Sequence, residues 1–298
     1  MAKNFISFWR NTPKQPGTEI LAPDYQILNN NDLLISKNNF LAACKKYGFE
    51  NVAKDKVYAR LLHRDLPAEP FVGDLSNARV YMVSLNPGCG EDEYSATNGW
   101  GWQTLVNIAE NNRKQQFNKN ICKFYYMDPV LQNTGGGIYW MKYVKGHKYM
   151  QYHKLKQMVE KIAETKNISF DDARHYVSDR ICDIELCPYH SCKWGIPTKI
   201  LRQLPSTQQC LEFIKNTVVP SVLTGNKSLI LLRHVADICK IIDDSGYTFA
   251  YKNREYKFSE LDTLGLPNVC FYRTNSDARR APIRPNTPAG KVCFNAIK

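Results

Sequence analysis

A chain of 298 residues with 43% hydrophobic and 23% charged side chains can bury a sizeable core, which excludes the disordered and fibrous classes. No apolar run approaches the ~18 residues that a membrane span needs, and the opening MAKNFISFWRNTPKQPG has no secretion-signal pattern, so a cytoplasmic protein without membrane contact is expected. The 40 Lys and Arg residues against 28 Asp and Glu leave a net charge of +12, which predicts a polyanionic partner, nucleic acid first.

In chain order, residues 1–75 predict a helical N-terminal extension packed on the core. Within it NNFLAACKKYGF has helical spacing after an Asn cap, and RDLPAEPFVGD reads as a proline-bearing linker. ARVYMVSL is a short apolar strand ended by Asn86-Pro87-Gly88. WGWQTLVNIAENNR predicts a helix. The stretch 114–150 is rich in aromatic and basic residues, and reads as an insertion or flap hinged on glycines 135–137. Two helical patterns follow, YHKLKQMVEKIAETK and SFDDARHYVSDR, the second with Ser169 as N-cap. ICDIELC is a second strand and STQQCLEFIKNTVVPSVL a capped helix. SLILLR is a third strand, HVADICKIIDDSG its following helix, and NVCFYR a fourth strand entering a basic, proline-rich tail. Strands separated by helices predict an α/β fold, a three-layer α/β/α sandwich over residues 76–298 with a central, mainly parallel four-stranded sheet. In such sheets chemistry collects at the carboxyl ends of the strands.

The ten cysteines are scattered, form no C-x-x-C pair, and several fall inside apolar patterns where a free thiol packs as a small core residue. The set Cys187, His190 and Cys192 has ligand chemistry but no evident fourth partner, so no metal and no cofactor are expected. An iron–sulfur cluster is not expected either, since the N-terminal region offers only Cys44.

Polar residues gather at the predicted strand ends: Asn86-Pro87-Gly88, then Asp183, Glu185 and Cys187 before PYHS, then Arg233-His234, then RTNSDARRAPIRPN. This ordered set, and SLNPG above all, resembles the uracil-DNA glycosylase superfamily from about Arg79 to Asn286. The resemblance implies a monomeric, monofunctional DNA glycosylase that flips a base out of DNA and leaves an abasic site. It assigns to Asn86 the holding of a water beneath the sugar, and to Pro87 and Gly88 the backbone next to the base. Tyr94, Trp100 and Trp102 are the aromatic residues available to stack on that base, and Trp100 best fits the family's distance from the catalytic turn. The closing loop, with Arg273, Asn275, Ser276, Arg279, Arg280 and Arg284 for DNA and Ile283 as an apolar wedge, completes the expected DNA contacts.

Two departures from the family pattern carry information. Its uracil readers place an Asn on the second strand where this chain has Asp183. An ionised carboxylate only accepts hydrogen bonds, which suits the exocyclic amine of cytosine, whereas a protonated one donates to the ring. Glu185 and Cys187 share the face of Asp183, since side chains two apart on a strand point the same way. Two neighbouring carboxyls push one pKa upward. A modified cytosine, as in viral DNA, is therefore the expected target and antiviral defence the expected role, since removing plain cytosine would destroy the cell's own genome. The closing motif also lacks its usual histidine, so Arg273, Thr274, Asn275 or Ser276 would have to serve, or His190 from the neighbouring loop. That gap keeps two other expectations open: a DNA-binding member without activity, or a nucleotide- or RNA-processing α/β enzyme.

Overall fold

The computed structural model describes residues 2–89, 102–141, 155–272 and 283–298. Nine strands occur in these segments: β1 (Leu34–Ile35), β2 (Leu62–His63), β3 (Phe71–Gly73), β4 (Val80–Ser84), β5 (Ile181–Glu185), β6 (Ser228–Leu231), β7 (Thr248–Tyr251), β8 (Arg254–Lys257) and β9 (Val269–Phe271). Five of them form the central sheet in the order β3-β5-β4-β6-β9. All neighbours are parallel except the edge strand β3, which runs antiparallel to β5.

The four expected strands are present as β4, β5, β6 and β9, but the sheet has five strands and not four. The fifth, β3, lies in the segment read as a linker, and places residues 71–73 of the supposed N-terminal extension in the central sheet. Its three residues are too short for alternation to show, and the prolines beside it read as a break.

Alternation along the strands divides the apolar residues between the two sheet faces. Tyr81, Val83, Cys182, Ile184, Leu229 and Leu231 belong to one core cluster, together with Trp9, Leu28, Phe213 and Ile242 from helices 2–11, 22–29, 205–213 and 235–243. Val80, Met82, Ile181 and Ile230 belong to a second, with Leu105, Met158, Val177 and Cys293 from helices 102–113, 156–166, 170–178 and 288–297. Each fully buried Leu, Ile, Val or Phe contributes roughly 1.5–3 kcal/mol by leaving water. The N-terminal helix Ala2–Asn11 is part of this packing, since the Phe5 ring stacks on Phe213 with centroids 4.9 Å apart.

Further differences from the sequence reading have local causes. Glycines 135–137 are no hinge: they open the helix Gly135–Trp140, capped by Thr134, and a side chain at Gly137 would sit 2.0 Å from the Leu131 carbonyl oxygen. Of the aromatic residues expected in a flap, Phe124, Tyr125, Tyr126 and Trp140 are buried in the second core cluster. The cap of helix Lys37–Tyr47 is Ser36, whose hydroxyl accepts from the Asn39 amide. The tail is not extended throughout, for residues Pro288–Ile297 form a helix capped by Thr287. Ile283, expected as a wedge into DNA, is fully buried in the second core cluster, where its side chain is taken up by packing.

Gly73 ends the edge strand with φ at +116°, and a Cβ there would approach the Ile181 carbonyl oxygen to 2.4 Å. Gly73→Ala is expected to destabilise the fold by about 2–4 kcal/mol, through backbone strain and a forced shift of β5. Gly225→Ala, at φ +76° in open space, is expected to cost only about 1 kcal/mol. Urea-unfolding midpoints of the two variants measure the difference.

Candidate active site

The site is built where β4 and β5 end side by side, with Ser84 opposite Glu185. Beyond the strands the two chains stay paired. The Leu186 and Cys187 amides donate to the Ser84 and Leu85 carbonyls at 3.0 and 2.7 Å, and Cys89 and Ser191 continue the ladder through the Ser191 and Pro87 carbonyls at 3.2 and 3.3 Å. The Asn-Pro-Gly turn is thus held along its length by the CPYHS segment.

Asn86 is half-buried in this arrangement. Its amide nitrogen donates to the Ser191 hydroxyl at 2.9 Å, the Pro87 carbonyl at 3.0 Å and the Tyr189 carbonyl at 3.2 Å. Two of these partners are carbonyls and only accept, which fixes which end of the amide is nitrogen. The Ser191 hydroxyl donates onward to the Lys193 carbonyl at 2.8 Å, so its lone pairs face Asn86. Among the described residues nothing donates to the Asn86 carbonyl oxygen. Pro87 is buried and Gly88 is exposed.

The CPYHS segment is itself anchored from below. The fully buried Tyr189 hydroxyl donates to Asp24 at 2.5 Å, and the other oxygen of Asp24 accepts from the Ser206 amide at 3.2 Å. His190 is buried and donates through Nδ1 to the Gly88 carbonyl at 2.8 Å, because that oxygen only accepts. Its Nε2 faces Glu69 Oε2 at 3.8 Å. Glu69 Oε1 accepts from the Tyr126 hydroxyl at 2.5 Å.

Asp183 and Glu185 lie on the face of the sheet covered by the aromatic segment. They are not a solvated strand end, since they are 3% and 7% exposed. The Ser84 hydroxyl reaches both oxygens of Asp183, at 3.0 and 3.1 Å. Burial raises the Asp183 pKa to about 7 against the pull of Ser84, and the charge of Glu69 adds to the rise. Burial pushes the Glu185 carboxyl well above the usual range, reinforced by the charges of Asp183 and Glu69. Glu185 Oε2 is buried without a hydrogen-bond partner. Tyr139, from helix Gly135–Trp140, is close enough to feel both carboxylates and is hydrogen-bonded to Arg233 at the end of β6. The result is a group of three buried carboxyls, with a histidine and tyrosines, at the strand ends from which the Asn86 turn departs.

The strand ends therefore bring together Asn86, Pro87, Gly88, Asp183, Glu185 and His190. Sequence reasoning missed Glu69, Ser84, Tyr126, Tyr139 and Ser191. Glu69 stands inside the proline-bearing APEP, where nothing marks it as a partner of a histidine 121 positions later. Cys187 departs from expectation because the strand ends at Glu185; the next residues break the alternation, and Cys187 packs with Ile184 and Leu186 in the opposite cluster. Tyr94, Trp100, Arg273, Thr274, Asn275, Ser276, Arg279 and Arg280 lie outside the described residues. Arg284 is half-buried, and its carbonyl accepts from Thr287 at the start of the last helix. A surface groove of about 380 Å³ lined by Leu34, Ala43, Tyr47 and Tyr58 shares no residue with this rim.

A second cluster of reactive side chains adjoins the turn. His63, Cys89 and Cys192 bring one nitrogen and two sulfurs within 4.8 Å of one another. Among the described residues this group, and not the set Cys187, His190 and Cys192, has ligand atoms close enough together to hold a metal ion: Cys187 is in the first core cluster and His190 faces Glu69.

The raised pKa of Asp183 makes the fold sensitive to pH. A carboxyl that holds its proton more tightly when folded adds no penalty below its unfolded pKa of about 3.8, and its full penalty above a folded pKa of about 7. Asp183→Asn, which removes the charge but keeps an acceptor for Ser84, is expected to raise the melting temperature over the wild type by a margin that widens from pH 5 to pH 8. Thermal melts of both proteins across that range check it, and a constant margin would contradict the burial argument. Comparison with models of protein families, with curated proteins and with solved structures finds no match to this chain.

Proposed function

We propose that the protein is a monofunctional DNA glycosylase which hydrolyses the bond between deoxyribose and a modified cytosine. The observation that carries the reading is the Asn86 carboxamide. Its nitrogen is fastened to the neighbouring loop, leaving the carbonyl oxygen of this half-buried residue preoriented to hold a water. Breaking an N-glycosidic bond builds positive charge on the sugar and negative charge on the departing base. An uncharged acceptor that aligns water against the anomeric carbon, and an acid that meets the base, are what the reaction needs.

In this reading the water oxygen bonds to the anomeric carbon as the carbon–nitrogen bond breaks and its electron pair leaves with the base. Glu185, whose burial favours the protonated form, protonates or hydrogen-bonds the leaving ring, and the proton released by the attacking water replaces the one it gives up. Asp183 accepts from the exocyclic amine when ionised, which distinguishes cytosine from uracil. The aromatic segment excludes water from the carboxyls. The apolar clusters on both sheet faces support the three-layer α/β/α arrangement that this chemistry uses, and the net charge of +12 supports DNA as the partner. A restriction of modified, foreign DNA is the role that spares the host's unmodified cytosine.

The test is an oligonucleotide panel carrying cytosine, hydroxymethylated and glycosylated cytosine and uracil, incubated with the protein and then cleaved with alkali at abasic sites. Scission is expected on a modified cytosine, with a drop of about 10²–10³-fold in Asn86→Ala, and a shift of preference toward uracil in Asp183→Asn. DNA binding without scission on every substrate would instead mark a DNA-binding protein without this activity. An unchanged rate in Asn86→Ala would remove the amide from the mechanism.

A further inference from the structure

We propose that His63, Cys89 and Cys192 form a structural zinc site that clamps the Asn-Pro-Gly turn to the CPYHS loop and to the N-terminal region. The inference stands on this cluster alone and is independent of the base-excision reading. The three ligands come from separate parts of the chain. His63 ends β2, Cys89 follows Gly88 directly, and Cys192 follows the Ser191 that binds Asn86. Their ligand atoms converge within 4.8 Å of one another. One edge, from Cys89 Sγ to His63 Nδ1, is 3.7 Å. A tetrahedral zinc with bonds of about 2.3 Å to sulfur and about 2.0–2.1 Å to nitrogen requires an S···N edge of about 3.6 Å. The edge already has the required length, and one ion drawn into the triangle needs only small side-chain shifts to bind all three.

The donor chemistry selects the ion. One imidazole with two thiolates suits zinc in preference to magnesium, calcium or manganese, which take oxygen ligands. His63 and Cys89 are buried and Cys192 is half-buried, so the fourth position lies on the more open side. Cys44, on helix Lys37–Tyr47, packs on the same small apolar cluster as Cys89 and Cys192, but its sulfur lies outside the 4.8 Å group, so a fourth bond from Cys44 requires that side chain to move in and water is the other fourth ligand. The ion would connect segments separated by 26 and 103 residues (His63 to Cys89, Cys89 to Cys192), and would add three strong bonds to loops otherwise joined by backbone hydrogen bonds.

The experiment begins with the protein as purified, whose metal content is read by elemental mass spectrometry. About one zinc per chain is expected, released by denaturation together with the thiols it protects. After chelation, titration with Co²⁺ is expected to give thiolate-to-cobalt absorption bands that saturate at one equivalent. Cys89→Ser and Cys192→Ser should lose zinc and those bands, while Cys270→Ser, outside the cluster, should keep both. A weaker band in Cys44→Ser would assign the fourth ligand, and an unchanged one would assign water. Absence of zinc in the purified protein together with no cobalt band would overturn the proposal and leave a Cys89 thiol hydrogen-bonded to His63. Full zinc retained in Cys89→Ser and Cys192→Ser would place the metal elsewhere and overturn it equally. If those variants fail to fold, the equivalents and bands of the wild-type protein still decide the matter.

Discussion

The candidate site depends on one constraint: two parallel strands whose pairing does not stop where the strands do. From Ser84 and Glu185 onward the Asn-Pro-Gly turn and the CPYHS loop continue to exchange backbone hydrogen bonds, and the Asn86 amide is tied into that ladder by the Tyr189 carbonyl and the Ser191 hydroxyl. A side chain on a free turn samples several rotamers and loses that freedom only when a substrate arrives. Here the freedom is already lost in folding, and the acceptor oxygen is set before any ligand binds. Anchoring of Tyr189 by Asp24, and of Asp24 by the Ser206 amide, carries the constraint into two helices far apart in the sequence, Ala22–Asn29 and Pro205–Phe213.

The carboxyls beside it work against stability. Glu69, Asp183 and Glu185 are all withdrawn from water, and Tyr126 and Ser84 offer hydroxyl donors to the first two. A fold selected for stability alone would place apolar residues of similar volume there, as the opposite face does with Cys182 and Ile184. Buried, mutually repelling acids at strand carboxyl ends are the arrangement by which a protein keeps a carboxylic acid protonated near pH 7. The same burial that raises these pKa values destabilises the chain as pH rises, so chemistry and stability draw on one cause.

How much of this could be read in the sequence follows from how local each signal is. ARVYMVSL, ICDIELC, SLILLR and NVCFYR are apolar runs bounded by polar turns, and each became a strand of the sheet at its expected place. The edge strand Phe71–Gly73 escaped because three residues among prolines give no period, and its identity comes only from pairing with β5. The hairpin of β7 and β8 escaped because its turn uses Lys252 and Asn253 at positive φ, without the glycine that usually announces such a turn. Asn86, Asp183, Glu185 and His190 were legible because they stand at strand ends. Glu69, Ser84 and Tyr126 were not, because each acquires its role from a partner on a different element. Ile283 failed as a wedge for a related reason: an apolar residue between Pro282 and Arg284 looks exposed until the second core is assembled around it.

The metal cluster and the amide are two consequences of the same loop pairing. Bringing Gly88 against Ser191 positions Asn86 for its hydrogen bonds, and it also sets Cys89 and Cys192, the next residue of each loop, near His63. A one-residue slip between the loops would separate the sulfurs and withdraw the Ser191 hydroxyl from Asn86 together. An ion at the cluster would resist that slip far more strongly than two amide hydrogen bonds of about 1 kcal/mol each. Its effect would be on geometry, narrowing the positions the Asn86 oxygen can take, which is where an amide that aligns water is most easily spoiled.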